Sequence, residues 1–421
     1  MATAAARGGA RGVVKRLADV IPQSVLQDMK VLSKRKQKGV SLKYMMDFGQ
    51  NPVSRQLLLS AQFLHEELPT RLAHRVMELE GLPFGLSFKP QVLKVRDWYV
   101  ESFKELREMP PVQTLEDEEK FTTLLGKIKQ RHDFVVPMVA LGVASLKQEM
   151  HFSKSWYELP DIHSFLDRFY MSRIGIRMLI GQHLSLHDPP RPEKIGLIDT
   201  VMSPYSIVHE AIEDARHICF RQYGDAPEIA LFGSEDLQCA YVPDHLHHMI
   251  FELVKNSLRA VSDRYMDADV DAPPIKIVIA EGNEDITIKV SDEGGGIARS
   301  GLPKIWTYLY STASSPLTQL TEDDIQNAPA VLAGYGYGLP LCRLYARYFG
   351  GELQVSRRGR RIGGSICRDG RWLTLSLSLS LCPGPSICRP AENQKVISME
   401  GYGTDAYLHL SKLGTSEEPL P

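Results

Sequence analysis

The sequence predicts two domains, an N-terminal helical bundle followed by a mixed α/β domain. Three observations carry this. Apolar residues recur at three- and four-residue spacing from Val40 to about His187, which is the period of a helix face. Pro189-Pro190-Arg191-Pro192 then interrupts the pattern, and prolines so placed end helices and mark a boundary. Beyond it come period-two apolar segments and glycine-rich turns, the grammar of strands joined by tight connections.

The candidate helices of the first part are Pro52–Glu66, Pro69–Glu80, Pro90–Glu108, Glu116–Met150 and Asp161–His187. Several open on a proline, which suits a first helical turn because the missing N–H has no partner there. Pro137 lies inside the fourth and should kink it. Long helices with short links predict an up-down bundle. In the second part Ser206–Tyr223, Pro243–Val261 and Gly338–Phe349 read as helices. Ile275–Ala280 and Asp285–Ser291 read as a β-hairpin, with Asp405–Leu410 a final strand. Helices on one face of an antiparallel sheet are expected.

Composition excludes several classes. The chain has 421 residues, 43% hydrophobic and 24% charged, with a formal net charge of −2. That charge argues against nucleic-acid binding driven by bulk electrostatics. No apolar run reaches the length of a membrane helix. Six cysteines in so long a chain do not make a disulfide framework, and Cys219, Cys239 and Cys342 read as reduced thiols. Residues 1–20 are basic and alanine-rich with no acid before Asp19, the composition of a mitochondrial presequence. A basic N-terminus without an address is the alternative.

The chemistry concentrates in Glu252-Leu-Val-Lys-Asn-Ser-Leu-Arg-Ala260. At helical spacing Glu252 stacks one turn from Asn256, and Lys255 one turn from Arg259. A carboxylate, an amide oxygen and two cations on adjoining faces suit Mg²⁺ and phosphates together. His248 lies one turn before Glu252, placed to hydrogen-bond to it and tune the carboxylate for proton abstraction. Asp292-Glu-Gly-Gly-Gly296 follows a strand, where an Asp can accept from an exocyclic amino group. Gly334-Tyr-Gly-Tyr-Gly-Leu339 runs into a helix, and glycine-rich backbone there offers N–H groups to phosphates. Pro316–Ala333 reads as a lid over this region. His132 invites comparison with a phosphate-accepting histidine, but a structural or site-facing role is the better reading.

Glu252-x-x-Lys-Asn256, Asp292-x-Gly-x-Gly296, Gly334-x-Gly-x-Gly338 and Gly401-Tyr-Gly-Thr404 resemble the four boxes of the GHKL ATPases. The chain also resembles the pyruvate dehydrogenase kinases, their plant forms most of all. Phe165-Leu-Asp-Arg-Phe-Tyr170, Gln182-His183, Tyr308-x-Tyr-Ser-Thr-Ala313 and Leu344-Tyr-Ala-Arg-Tyr-Phe349 carry that likeness. The resemblance implies a four-helix bundle over residues 21–188 and a GHKL-type α/β sandwich over 200–413, with a short tail at 414–421. It implies an ATP-dependent serine kinase of the mitochondrial matrix that inactivates the dehydrogenase through its alpha subunit. ATP and Mg²⁺ are the implied cofactors, with K⁺ a further candidate. A homodimer and the lipoyl domain of the dihydrolipoyl acetyltransferase are the implied partners. Animal relatives carry a longer C-terminal arm than the plant pattern followed here.

By the same resemblance Glu252 is the general base, Asn256 holds Mg²⁺ and Asp292 binds adenine. Gly296, Ser311, Thr312 and the stretch Gly334, Tyr335, Gly336, Tyr337, Gly338, Leu339 line the nucleotide pocket. Thr404 lies near the base, and Lys255 and Arg259 neutralise phosphate charge. The branched-chain 2-oxoacid dehydrogenase kinases are the rival within the superfamily, and a non-catalytic scaffold is the rival outside it.

One segment departs from the family pattern. Gly350-Gly-Glu-Leu-Gln354 should continue directly into Val396-Ile-Ser-Met-Glu-Gly401, but Val355–Lys395 intervenes. It holds Cys367, Cys382 and Cys388 and a Leu/Ser alternation over Leu373–Leu381. All Val codons begin GT, one Lys codon ends AG, and a CT repeat encodes alternating Leu and Ser. The segment therefore reads as a translated retained intron, a looped-out insertion being the alternative. Either way it is expected to interrupt a central strand of the ATP-binding sheet.

Overall fold

The computed structural model describes residues 16–50, 54–150, 159–189, 191–266, 270–311, 336–358 and 401–420. The first half is helical: α1 (Leu17–Val20), α2 (Gln23–Leu32), α3 (Leu42–Gly49), α4 (Ser54–Glu80), α5 (Pro90–Glu108), α6 (Leu115–Arg131), α7 (Val135–Glu149) and α8 (Pro160–Ser185). The second half contains β1 (Lys194–Ile195), β2 (Ile198–Met202), α9 (Pro204–Tyr223), β3 (Ile229–Phe232), β4 (Cys239–Tyr241) and α10 (Pro243–Tyr265). It continues with β5 (Ile275–Glu281), β6 (Asp285–Ser291), α11 (Gly338–Tyr348), β7 (Glu352–Arg358) and β8 (Gly403–Ser411).

The bundle has four columns: α4, α5, α6 followed by α7, and α8. Two boundaries differ from the sequence reading. The segments expected at Pro52–Glu66 and Pro69–Glu80 are one helix, and Pro69 is buried within it. Burial of Leu64, Leu68, Leu72 and Val76 on both sides of the proline outweighs the lost backbone hydrogen bond. The helix expected over Glu116–Met150 breaks at His132-Asp133-Phe134, before Pro137. Pro137 sits in the first turn of α7, where no intrahelical donor is required. The carbonyls freed at the break accept from the Arg173 guanidinium, 3.3 Å to His132 O and 3.5 Å to Asp133 O. His132 itself is buried, stacked on Tyr99 at 4.6 Å and bonded through Nε2 to Ser102 Oγ at 3.0 Å. Burial pushes its pKa down to about 3, and it does not line the cavity described below.

The second half is built on a five-stranded sheet of order β3-β5-β6-β8-β7. The expected hairpin is present as β5 and β6, antiparallel with Ile277 opposite Val290 and Ile279 opposite Ile288. Strand β3 pairs parallel with β5, so the sheet is mixed rather than antiparallel throughout. The parallel step is possible because α10 supplies the crossover between them. A second sheet, β1-β2-β4, flanks it. Alternate residues Ile275, Ile277, Ile279, Ile286, Ile288, Val290, Leu408 and Leu410 are buried. They meet the apolar stripe of α10, formed by Leu246, Met249, Ile250, Leu253, Val254, Leu258 and Val261. The stripe leaves Glu252, Lys255, Asn256 and Arg259 on the flank of the helix, half-buried.

Strand β7 corrects the expectation for the insert. Val355–Arg358 continue the strand begun at Glu352 and pair with β8 from Val355 opposite Ala406 to Arg358 opposite Gly403. The strand is therefore completed by the first residues of the insert. It is an edge strand in the sheet order, not a central one. The remainder of the insert, with its cysteines and Leu/Ser run, lies outside the described residues, as do Pro316–Ala333 and residues 1–15. Cys219, Cys239 and Cys342 are free thiols. No helix among the described residues is long and apolar enough to cross a membrane.

The C-terminal residues form a strap rather than a loose tail. Lys43 N donates to Gly414 O at 2.9 Å and Glu418 N to Val40 O at 2.9 Å. The Glu418 carboxylate is buried against Arg71 of α4 and accepts from Tyr348 Oη at 2.9 Å. Lys147 Nζ to Leu309 O at 2.9 Å and Tyr308 Oη to Asp167 Oδ1 at 2.7 Å also join the two halves.

Candidate active site

A cavity of about 390 Å³ opens between the flank of α10, the end of β6 and the N-terminus of α11. Ten of the residues expected from the sequence line it: Glu252, Asn256, Arg259, Asp292, Gly296, Ser311, Gly336, Gly338, Leu339 and Thr404. Lys255 does not. Its ammonium is drawn onto Glu252 Oε1 at 2.5 Å, one helical turn away. Tyr337 does not line it either. Its ring is buried among Tyr170 and Tyr308, with centroids 6.0 and 5.2 Å away, where the helical half offers an aromatic pocket. Thr312, Gly334 and Tyr335 lie outside the described residues.

Asp292 is the most fixed polar group of the site. It follows β6 directly and is 4% exposed. Oδ1 accepts from Gly294 N at 3.0 Å and Thr404 N at 3.1 Å, and Oδ2 accepts from Ser257 Oγ at 3.0 Å. Burial pushes its carboxyl above the usual carboxylate range, against the pull of those three hydrogen bonds. The donors orient the group and leave acceptor capacity on Oδ2 for a ligand N–H. Ser257 was not singled out from the sequence. Its signal was available, since it falls on the buried stripe of α10 beside Asn256, where a hydroxyl needs a polar partner.

Glu252 faces the N-terminus of α11. A Cβ built at Gly338 would lie 2.4 Å from Glu252 Oε2, so any larger residue there would push the carboxylate from its present position. Gly336 has φ +79°, and a Cβ there would meet the Tyr310 backbone at 2.4 Å. The result is a helix N-terminus, with its inward N–H groups and positive dipole end, aimed at a cavity that also holds Arg259. The expected hydrogen bond from His248 to Glu252 is not formed. His248 Nε2 is buried without a partner and the ring packs on Tyr345 at 5.0 Å. Burial lowers the His248 pKa, favouring the neutral ring.

Most of the remaining lining is apolar, including Leu253, Val290, Ile305, Val355 and Ala406. Val355, the first residue of the insert, thus contributes to the wall. An apolar slot closed at one end by a hydrogen-bonded carboxylate suits a flat heteroaromatic base bearing an amino group. The opposite end, with a helix N-terminus, a guanidinium, an amide and a carboxylate, suits phosphates with a divalent cation.

Comparison with known proteins agrees with this geometry. Residues 39–199 match the family described as mitochondrial branched-chain alpha-ketoacid dehydrogenase kinase. Residues 241–381 match the histidine kinase-, DNA gyrase B- and HSP90-like ATPases. The chain is 53% identical over 409 residues to the mitochondrial [pyruvate dehydrogenase (acetyl-transferring)] kinase of Arabidopsis thaliana, covering 97% of this chain and 100% of the relative. It is 34% identical to the Schizosaccharomyces pombe kinase of the same name, covering 95% and 99%. With human isozyme 3 the identity is 35%, covering 96% and 90%. Near-complete coverage in both directions, together with the ATPase-type site, places the chain in the pyruvate dehydrogenase (acetyl-transferring) kinase family.

Proposed function

We propose that this chain is an ATP-dependent protein-serine kinase that phosphorylates the alpha subunit of pyruvate dehydrogenase and switches the complex off. The observation that carries the reading is the convergence of Glu252, Asn256, Asp292, Gly338 and Thr404 on one cavity. In the step, the substrate serine Oγ bonds to the γ-phosphorus while the bond from that phosphorus to the ADP oxygen breaks. The serine proton passes to the Glu252 carboxylate. Lys255 steadies that carboxylate through Oε1, and His248 forms no hydrogen bond to it through Nε2. Asn256 offers a hard oxygen donor of the kind Mg²⁺ requires, and the cation would neutralise charge on the transferring phosphoryl group. No step uses K⁺.

The same reading puts the protein in the mitochondrial matrix as a homodimer, docked through its helical half on the lipoyl domain of the dihydrolipoyl acetyltransferase. The mitochondrial names of the relatives support the location. A separate cavity of about 290 Å³, walled by Met45, Phe48, Leu59, Phe63 and Leu179, gives the helical half a concave apolar surface for such a partner. The branched-chain alternative has one observation in its favour, the description of the family matched by residues 39–199. The full-length relatives reported above carry the pyruvate name instead.

A calorimetric titration with Mg-ATP separates the kinase from the scaffold. The full chain is expected to bind one ATP, and Asp292→Ala to weaken it by about 1.5–3 kcal/mol, the worth of a hydrogen bond to a charged group. No ATP binding by the full chain would favour the scaffold. Gly338→Ala tests the close approach to Glu252. The added methyl pushes the flexible carboxylate aside, so the turnover rate should fall about 100-fold, as for an ångström-scale misplacement. Stability should hold or rise by up to about 1 kcal/mol, because alanine is the better helix former.

A further inference from the structure

Away from the ATP-type cavity, Glu118 of α6 and His183 and His187 at the end of α8 bring one carboxylate oxygen and two ring nitrogens within 4.8 Å of one another. We propose that these three residues form a binding site for a divalent transition metal of the Zn²⁺ class, clamping α6 to α8. Glu118 Oε1 lies 2.9 Å from His187 Nε2 and 3.3 Å from His183 Nε2. Four-coordinate zinc with bonds of about 2.0–2.2 Å sets its ligand atoms roughly 3.3–3.6 Å apart, so the three atoms need only small movements to share one ion.

The hydrogen bonds around the cluster already orient it for a cation. His187 Nδ1 lies 3.0 Å from the His183 carbonyl oxygen, so Nδ1 carries the proton donated there. In the neutral ring Nε2 is then a lone pair facing a carboxylate oxygen at 2.9 Å. That contact is attractive only with positive charge between the two, a proton or a metal. His183 Nδ1 is held by Ser60 Oγ at 2.9 Å, while Nε2 faces both Thr122 Oγ1 at 2.9 Å and Glu118 Oε1 at 3.3 Å, so a metal would take the place of the Thr122 contact. Such outer partners fix the ring orientation of metal-binding histidines. Thr122 Oγ1 donates to Glu118 Oε1 at 2.8 Å and orients the carboxylate.

Glu118 and His183 are buried, whereas His187 is exposed and gives an entry path. Burial raises the Glu118 pKa, but the bonds from His183 and Thr122 and the nearby His187 outweigh it and hold the carboxyl at about 2. Burial lowers the His183 pKa. Two imidazoles and one carboxylate favour zinc or its transition-metal neighbours over Mg²⁺ and Ca²⁺, which prefer all-oxygen sites. His183 and Ser60 also line the apolar cavity of the helical half, so the metal would stiffen one of its walls.

The test is a calorimetric titration of the chelator-stripped full chain with Zn²⁺, run beside His187→Ala and Glu118→Gln. His187→Ala removes an exposed side chain past the end of α8, so its circular dichroism should match the parent. The parent is expected to bind one Zn²⁺ more than about 100-fold more tightly than His187→Ala, a loss beyond that of an outer-shell partner. With Co²⁺ the parent should show a tetrahedral ligand-field band that His187→Ala lacks. Equal Zn²⁺ affinity in parent and His187→Ala, or no binding by the parent, would overturn the proposal and leave the cluster as a protonated hydrogen-bonded triad.

Discussion

Glu252→Gln is expected to lower the rate of phosphotransfer by about 10²–10⁴-fold, the usual worth of a positioned general base. In free energy this is roughly 3–5 kcal/mol of transition-state stabilisation. The substitution keeps the shape of the side chain and a hydrogen-bond acceptor for Lys255, whose ammonium sits on Oε1. It removes the group that takes the serine proton. Asp292 and its three hydrogen bonds stay in place at the other end of the cavity, so the dissociation constant for Mg-ATP should change only by a small factor. Single-turnover kinetics with calorimetry in parallel separate the two quantities. An undiminished rate would remove Glu252 from the base role, and a parallel collapse of ATP binding would make it chiefly a metal or nucleotide ligand.

Glu418→Ala is expected to destabilise the protein by about 3–5 kcal/mol, the cost of leaving a buried charge without its partner. Arg71 is fully buried. Its guanidinium spans Glu67 Oε1 at 3.0 Å, the Lys38 carbonyl at 2.7 Å, and Glu418 Oε1 and Oε2 at 2.5 and 3.1 Å. Burial opposes the charge, but Glu418 and Glu67 more than restore it, so the guanidinium is held above its ordinary range. Removing Glu418 leaves one carboxylate for a charge built to have two, and frees the Tyr348 hydroxyl as well. Denaturant unfolding measures the loss. A double-mutant cycle with Arg71→Met should show strong coupling, because most of the cost is the orphaned cation. A shift within about 0.5 kcal/mol, the range of ordinary surface changes, would mean that the strap contributes nothing.

The long-period features of the fold were legible because one face of each element is buried. The stripe from Leu246 to Val261 marked α10, and the alternation in Ile275–Ala280 and Asp285–Ser291 marked the hairpin. Strands β1 to β4 were missed because they span two to five residues, too few for a period to register. The Ile229–Phe232 run is apolar without alternation. Pro69 misled because a proline reads as a helix start, whereas tertiary burial carried α4 through it. The break before α7 depends on Arg173, some forty positions away, accepting the role of partner to the freed carbonyls.

The site shows the same division. Glu252 and Asn256 were legible from spacing on one helix. The meeting of Asp292 with Thr404 crosses the whole insert, and only the resemblance of the motif order joined them. Lys255 was assigned to phosphate by type, but a carboxylate one turn away takes the ammonium. Tyr337 sits between two glycines of a nucleotide-type loop, yet the aromatic pocket around Tyr170 claims it. For the insert, local pattern suggested a ruptured central strand. The register of β7 against β8 shows that four of its residues are accommodated at an edge.

The most direct measurement is transfer of labelled phosphate from Mg-ATP to purified pyruvate dehydrogenase, with identification of the modified residue. It should be run with the full chain and with a form joining Gln354 to Val396. Both are expected to label serine of the alpha subunit and to inactivate the dehydrogenase, since the described residues of the site converge on one cavity with the insert present. No incorporation by the full chain, or label on histidine, would contradict the account.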